Sequence, residues 1–574
     1  MENHGEYGEP VRRRLRVVTG EMGRSDIAAI YEGERNRSFR YSGATNSCLV
    51  EMDEEPPGMP NRKALETGLL VSMGLGSKVM DAMQVMRKIV VDGSNTAGFQ
   101  RTMLVSMGGT VQSCHGDVAI SSVCLEEDSA RKISDSGGEV NYSLDRLGTP
   151  LLEISTEPDM KDPDHAMEVA RKISFLVKEL SMLRRGADSI RQDVNLSLGF
   201  GRVEIKGVSR ISQIRDVVNY EITRQKGIGA AMEVLESRVN KDFPEVKVHE
   251  VSGLKFVSRS RKLATSVESG SIVIAGLLKG MKGLLRNGEM WLGREIADVL
   301  KQFGIGGMIH SDELPGYGLG EEDIEEVRNF LEGSGEDAFF IIATNPSKVD
   351  EIGSLITRRI RKLQSRDLSE TRGPKDNGET YFLRPLAGGE RMYPETDLPF
   401  IVVGENEMES LKERVPIGEE RYVSSFAESH GLSTQDSRTI IEKELLDTFQ
   451  DLEKVTGDPR FASRLILQII PDTSRKTGKE PIYADIMEVI RLCREMEWPR
   501  YAVENAVSLQ ISLGRTPGEV AGMKEAMPLN GKELQAAIEE IRKSEEVTRK
   551  NVIFLLKKKT MRPFDASEAM TYVA

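Results

Sequence analysis

Cysteine is scarce in this chain. Its 574 residues include four, at 48, 114, 124 and 493, and no two of them form a CxxC pair. That spacing supplies neither a zinc knuckle nor a disulfide framework, and it reads as reduced thiols in packing roles. Long apolar runs are missing too, none approaching the ~20 residues that a membrane span needs. The opening stretch, MENHGEYGEPVRRRLRVV, has no apolar core of the kind a secretory signal carries. These absences predict a cytoplasmic protein with no membrane partner. The six histidines (4, 115, 165, 249, 310 and 430) include no pair at metal-ligand spacing. The patterns GxxxxGK[ST], GxSxG and HExxH are absent, which removes the sequence grounds for a P-loop, a nucleophile elbow or a zincin site.

Acid outweighs base: 91 Asp and Glu against 78 Lys and Arg give a net charge of −13. A chain of that sign does not coat nucleic acid nonspecifically, but it leaves room for a local basic surface. Three basic clusters stand out, Arg12 to Arg14, the RRIRK run at 358–362, and Lys557 to Lys559. Each reads as a solvated face or as an RNA contact. Core material is plentiful, with 39% hydrophobic residues, and at roughly 100–200 residues per domain the length predicts about three or four domains.

Residues up to about 270 read as mixed α/β. Helices are predicted at 64–76 and 163–184. The second has Asp162 to cap it, Pro163 in its first turn, and an apolar stripe through Val169, Ile173, Leu176 and Leu180. Two strands follow, RQDVNLSL and RVEIKGV, joined by a tight turn at Gly199-Phe200. Alternation gives each a polar and an apolar face. The resulting register sets Asn195 opposite Glu204 and Asp193 opposite Lys206, with both polar faces on one side. A Gly-punctuated texture begins near 270. Residues 365–380 read as a polar linker, and 381–400 return to strand and loop. Beyond about 405 the pattern is helical, including helices at 434–456 and 459–469 and a joint around 470–480.

Four stretches carry candidate chemistry. The first is the acidic trio Glu126, Glu127 and Asp128; the second is Glu153 with Glu157, which share one face of a strand. Residues four apart in a strand lie roughly 13 Å apart at ~3.3 Å per residue. Magnesium–oxygen bonds are only about 2.0–2.1 Å long, so that pair does not readily hold one ion. A second ligand from another segment is required, and Glu126 is the natural candidate; the competing reading pairs these acids with Arg131, Lys132 and Arg146. The third stretch is the polar face of the hairpin, which reads as solvated sheet or as the lining of a polar cavity. The fourth is the loop Gly93 to Gly98, whose backbone amides read as a phosphate cradle or as an ordinary hairpin loop. Residues alone thus reach an acidic, polar site with a possible magnesium requirement.

Ordered motifs take the reading further. EMDEEPPGMPNRKAL, MRKIVVDGSNTAGFQRT, CLEEDSARKI, DRLGTPLLEISTEPD, IRQDVNLSL with RVEIKGV, and AGGERMYPETDLP resemble, in the same order, the amidotransferase subunits that act on misacylated tRNA, the GatB/GatE family. The block containing HSDELPGYGL resembles the insertion shared by the archaeal GatE branch and bacterial-type aspartyl-tRNA synthetases. The resemblance implies an α+β multidomain fold: a cradle-like catalytic domain with an antiparallel sheet (1–270, returning at 379–404), an inserted α/β domain (271–378), a helical domain (405–475) and a helical tail (476–574). It implies a ligase that converts Glu-tRNA(Gln) to Gln-tRNA(Gln). ATP phosphorylates the glutamyl carboxylate. Ammonia from an asparaginase-like glutaminase, the D subunit of the complex, displaces the phosphate in a heterotetramer of two D and two E subunits. Glu126 and Glu153 match the family's Mg²⁺ carboxylates. Arg191, Asp193, Asn195, Glu204 and Lys206 match the hairpin that holds ATP or the glutamyl end, and Ser94 and Asn95 fall in the matching polar loop.

One departure qualifies the match. Family members begin with a strand containing a Gly-Leu-Glu-Ile-His run that supplies a histidine to the metal site, and this chain opens downstream of it; His4 lies in ENHGE, which does not resemble that strand. A competing expectation follows, a catalytically impaired scaffold that holds tRNA or the glutaminase partner. A stand-alone relative of aspartyl-tRNA synthetase has only the insertion in its favour.

Overall fold

The computed structural model describes residues 6–20, 23–136, 138–180, 182–183, 189–239, 242–286, 288, 291–443 and 445–573. His4 lies outside them. The chain forms two compact units, one ending at Pro416 and the other running from Ile417. No helix among the described residues is long and apolar enough to cross a membrane.

The first unit is built on several sheets. In the largest, five strands run in the order Pro150–Thr156, Val118–Glu127, Phe99–Met107, Val85–Ile89 and Met392–Pro394, each antiparallel to its neighbour. The apolar positions of these strands face the helix Arg62–Gly74, whose Leu69 and Leu70 are fully buried. Each of those leucines contributes about 1.5–3 kcal/mol by leaving water. The predicted helix after Asp162 is present as Pro163–Lys178, with the Asp162 side chain accepting from the His165 amide. Its Val169 and Leu176, with Leu180 just beyond its end, join the core of this sheet.

A second sheet carries the hairpin. Its strands lie in the order Gln192–Leu196, Val203–Val208, Glu370–Pro374 and Thr380–Pro385, and the two middle strands are parallel. Asn195 pairs with Glu204 as the alternation requires. The predicted two-residue turn does not form. Pairing stops at Leu196 and Val203, because the backbone finds other partners: the Leu198 amide donates to Gln225 Oε1 at 3.1 Å, and the Phe200 carbonyl accepts from Leu368. Asp193 meets Lys206 through a bulge rather than a regular pair, at 3.2 Å.

The linker reading of 365–380 is also overturned, since Glu370–Pro374 is a central strand with Arg372 fully buried. Its charges are consumed internally, by Arg224, Glu221, Glu295 and Arg359. Arg372 Nη1 lies 2.7 Å from Glu370, Arg359 Nη1 2.6 Å from Glu370 and Arg224 Nη1 2.9 Å from Glu295. The RRIRK run is therefore no RNA face as a whole. Arg359 is inside this network, Arg361 donates to the Phe243 carbonyl, and Lys362 pairs with Asp367. Between the hairpin and Glu370 lies a four-stranded antiparallel sheet, Val248–Glu250, Ile272–Leu278, Ala338–Thr344 and Ile309–His310. Val248 already pairs within that sheet, and Glu370 pairs with Val203 in the hairpin sheet.

The second unit is helical. The predicted 434–456 helix is two, Thr434–Glu442 and Leu446–Thr456. The joint expected around 470–480 is helical as far as Thr477. A π-helical turn, Leu465–Ile469, makes room for Pro471, which has no amide hydrogen to give.

Candidate functional site

The site begins with strand register. Glu126 lies across from Leu151, and Glu153 across from Cys124. The two acids are therefore diagonal neighbours on one face, where side chains reach each other. Lys88, two strands away, projects from the same face. Its Nζ lies 2.6 Å from Glu126 Oε1 and 3.9 Å from Glu153 Oε2. Glu126 is buried, whereas 54% of the Glu153 side chain stays open to water. The rest of the acidic trio points elsewhere. Glu127 is on the helix-facing side, where Arg101 Nε donates to it at 3.0 Å. Asp128 meets Arg191 at 3.5 Å and Arg146 at 3.7 Å. Arg131, offered as a partner for the site acids, pairs with Asp145 instead.

Two carboxyls converging on one lysine leave an excess of negative charge. The Glu153 carboxyl is pushed up to about 7, first by the loss of water around its carboxyl end and then by the Glu126 charge, with Lys88 pulling the other way. The carboxyls are close enough for Glu153 to share a proton with Glu126. A site of this kind holds either that proton or a cation.

The hairpin sheet supplies the opposite charge. The cross-strand row Asn195, Glu204, Thr371, Arg384 lies on one face, and Lys206 is two residues along from Glu204. Burial works against the Lys206 charge, but Asp193 and Glu204 outweigh it and raise its pKa. Lys206 also acts on Glu153 across the cleft. Arg391, just before the strand that pairs Met392 with Lys88, feels both Glu204 and Glu126; burial, and after it Arg384, lower its pKa. Neither Arg384 nor Arg391 has an ion-pair partner among the described residues.

The polar loop closes one end. The Gly93 carbonyl accepts from Tyr41 Oη at 2.7 Å. Gly93 has φ +88°, and a Cβ there would stand 2.1 Å from the Phe39 ring, so only glycine fits. The Ser94 amide is already used by Asp92, and the Ser94 carbonyl accepts from Ala130. Asn95 is buried, its amide bridging Ser94 and Ser129 at 3.5 Å each. Ser94 keeps some exposure, while Asn95 ties the loop to the end of the strand that carries Glu126.

Sequence reasoning does not single out Lys88, Arg384 or Arg391. Lys88 and Arg391 lie inside MRKIVVDGSNTAGFQRT and AGGERMYPETDLP, and their signal is alternation with strands far away in the chain.

Carboxylates on one sheet, with the unpaired Arg391 just before its edge strand and the unpaired Arg384 on the hairpin sheet, define an α+β domain suited to handling an anionic substrate. The chain belongs to the GatB/GatE family: residues 34–409 match its catalytic domain. It is 44% identical to the E subunit of the glutamyl-tRNA(Gln) amidotransferase of Thermoplasma acidophilum, over 98% of this chain and 93% of that relative. Identity is 42% to the E subunit of Thermoplasma volcanium, over 99% and 95%, and 40% to that of Methanopyrus kandleri, over 80% and 74%.

Proposed function

We propose that this chain is the activating subunit of a tRNA-dependent amidotransferase, a ligase that turns Glu-tRNA(Gln) into Gln-tRNA(Gln). The observation that carries the reading is the meeting of Glu126, Glu153 and Lys88 with the unpaired Arg384 and Arg391 in one cleft, in a chain so similar to proteins that bear an amidotransferase name. In the first step a glutamyl carboxylate oxygen attacks the γ-phosphorus of ATP, and ADP departs. In the second, ammonia attacks the acyl carbon, the C–O bond breaks, phosphate leaves, and the nitrogen gives up a proton. A carboxylate is a poor electrophile, and the acyl phosphate supplies the leaving group it lacks.

The residues present fit Mg²⁺. Glu126 and Glu153 offer hard oxygens from two segments, and crowding of their charges favours a cation between them. When bound, the ion would neutralise phosphate oxygens in line with the displacement. The chain's own groups do the positioning. Arg384 and Arg391 pair with phosphate oxygens, Lys88 fixes the Glu126 carboxylate, and Lys206, kept charged by Asp193 and Glu204, orients the donor. Arg191 and Asn195 line the same approach, with Ser94 at its loop end. Ammonia would come from an asparaginase-like glutaminase partner, the D subunit, in a heterotetramer of two D and two E subunits. We assign the insertion to the kind found in bacterial-type aspartyl-tRNA synthetases, and the helical unit to gripping tRNA.

Amidation of Glu-tRNA(Gln) by the full chain with a glutaminase partner, ATP and Mg²⁺ tests the reading. Glu126→Gln and Glu153→Gln should each lower the rate at least ~100-fold, as expected when a group that stabilises transition-state charge is removed, while tRNA affinity holds within about twofold. Full activity in both variants would remove the site assignment. No product from the unaltered chain under those conditions would remove the function.

A further inference from the structure

A second cluster of ligating side chains lies at the other end of the strand that carries Glu126. The strand Thr110–Val111 pairs with the start of Val118–Glu127, and the turn between them presents Cys114 and His115. Glu168 comes up beneath from the helix Pro163–Lys178. Cys114 Sγ is 2.9 Å from Glu168 Oε2 and 3.4 Å from His115 Nδ1, and that Nδ1 is 2.9 Å from Glu168 Oε2. Three different ligand types thus close a triangle, though Glu168 is 54 residues from Cys114 in sequence.

We propose that Cys114, His115 and Glu168 form a zinc-type divalent metal site that staples this turn to the helix. With Zn–S near 2.3 Å and Zn–N and Zn–O near 2.0–2.2 Å, a tetrahedral ion holds its ligands about 3.4–3.6 Å apart. The three separations need to open by at most roughly 0.7 Å, and Cys114 and His115 are exposed. The support around the triangle is already built. Glu168 Oε1 is engaged by the Cys114 amide at 3.1 Å and by Lys172 Nζ at 3.3 Å, which leaves Oε2 for the cluster. Lys172 in turn donates to the Gln112 carbonyl at 2.8 Å. The His115 ring stacks on His165, 5.6 Å between centroids. His165 is 1% exposed, faces the Gly116 carbonyl through Nε2 at 3.2 Å, and has no hydrogen-bond partner at Nδ1 among the described residues. Outer contacts of this sort fix ligand orientation at metal centres. A thiolate and an imidazole select zinc-like ions over magnesium, so the site is chemically separate from the Glu126 cleft. Water completes the fourth position on the exposed side.

Cobalt(II) titration of the EDTA-treated full chain reads the site directly. The expected result is a thiolate-to-cobalt charge-transfer band that saturates at one equivalent, is displaced by zinc, and is untouched by magnesium. Cys114→Ser should abolish the band, and Glu168→Gln should weaken cobalt binding at least tenfold. Absence of the band, or a band of full intensity in Cys114→Ser, overturns the proposal. Should that variant fail to fold, thiol labelling of the unaltered chain decides: zinc should slow modification of Cys114 at least tenfold by peptide mapping, and an unchanged rate counts against the site.

Discussion

At the scale of single residues, Glu153 controls how the cleft responds to protons. Its carboxyl stands at about 7 against an ordinary 4.5. A pKa raised by folding contributes stability that is complete below the unfolded value and is lost as pH rises through the folded one. The ligand-free chain should therefore lose thermal stability between about pH 5 and pH 8, and Glu126→Gln, by removing the like charge, should flatten that part of the profile. The same proton competes with a cation. Ionisation of a group at about 7 grows roughly tenfold from pH 6 to pH 8, so Mg²⁺ affinity should rise by about that factor. Calorimetric titration at the two pH values checks it; equal affinities would show that Glu153 is not a ligand. The pairing of Glu126 with Glu153 was legible in the sequence because strand geometry forbade Glu153 and Glu157 from sharing an ion. Lys88 and Arg391 were not, because Met392 meets Lys88 only through a pairing across some three hundred residues of chain.

At the scale of elements, the hairpin sheet is clasped by charge as well as by its apolar core, in which Val203, Ile205 and Phe382 are buried. Arg224 comes from the long helix Ile211–Arg238, Glu295 from Leu292–Gln302, Arg359 from Val349–Gln364, and Glu370 and Arg372 from one strand. All are buried. Burial opposes ionisation of Glu295 and Glu370, yet the three arginines outweigh it and hold both carboxyls well below the usual range. Depressed carboxyl values contribute stability that is present above the unfolded value, ~4.5, and lost as pH falls toward the folded one, so this clasp is acid-labile. Arg372→Leu leaves Glu370 and Glu295 short of a partner and should cost about 3–5 kcal/mol in urea unfolding at pH 7. A loss under ~1 kcal/mol would mean the network relaxes around the gap. The sequence misled here for a physical reason. A run such as SRDLSETRGPKDNGET looks solvated because isolated charges avoid the interior, and nothing local announces that three arginines and their acids arrive from four elements. The hairpin was readable in its centre, Asn195 opposite Glu204, where alternation alone decides. It was misread at its tip, where Gln225 and Leu368 compete for the backbone.

At the scale of the whole molecule, the proposed function requires an acidic chain to engage a polyanion through a restricted patch. The helix Val552–Thr560 in the second unit is suited to this, with Lys557, Lys558 and Lys559 in its last turn. Lys559 is partly committed to Glu545 at 3.3 Å, whereas Lys557 and Lys558 are exposed, next to Phe554 at 66% exposure and Met561 at 74%. Two lysines that neutralise two phosphates release counterions, and each contact contributes roughly 0.7–0.9 to the slope of log affinity against log salt. Replacing both with alanine should lower tRNA affinity in the full chain and reduce that slope by about 1.4–1.8. Mg²⁺ binding at the site proposed for Glu126 and Glu153 should not move. Fluorescence anisotropy with labelled tRNA across a potassium chloride series measures both quantities. If affinity falls while the slope stays the same, the lysines act through packing of the helix and not through phosphate contacts. If neither changes, the RNA lies on another surface, and Arg12, which pairs with Glu139 at 2.9 Å yet keeps 72% of its side chain exposed, becomes the next position to replace.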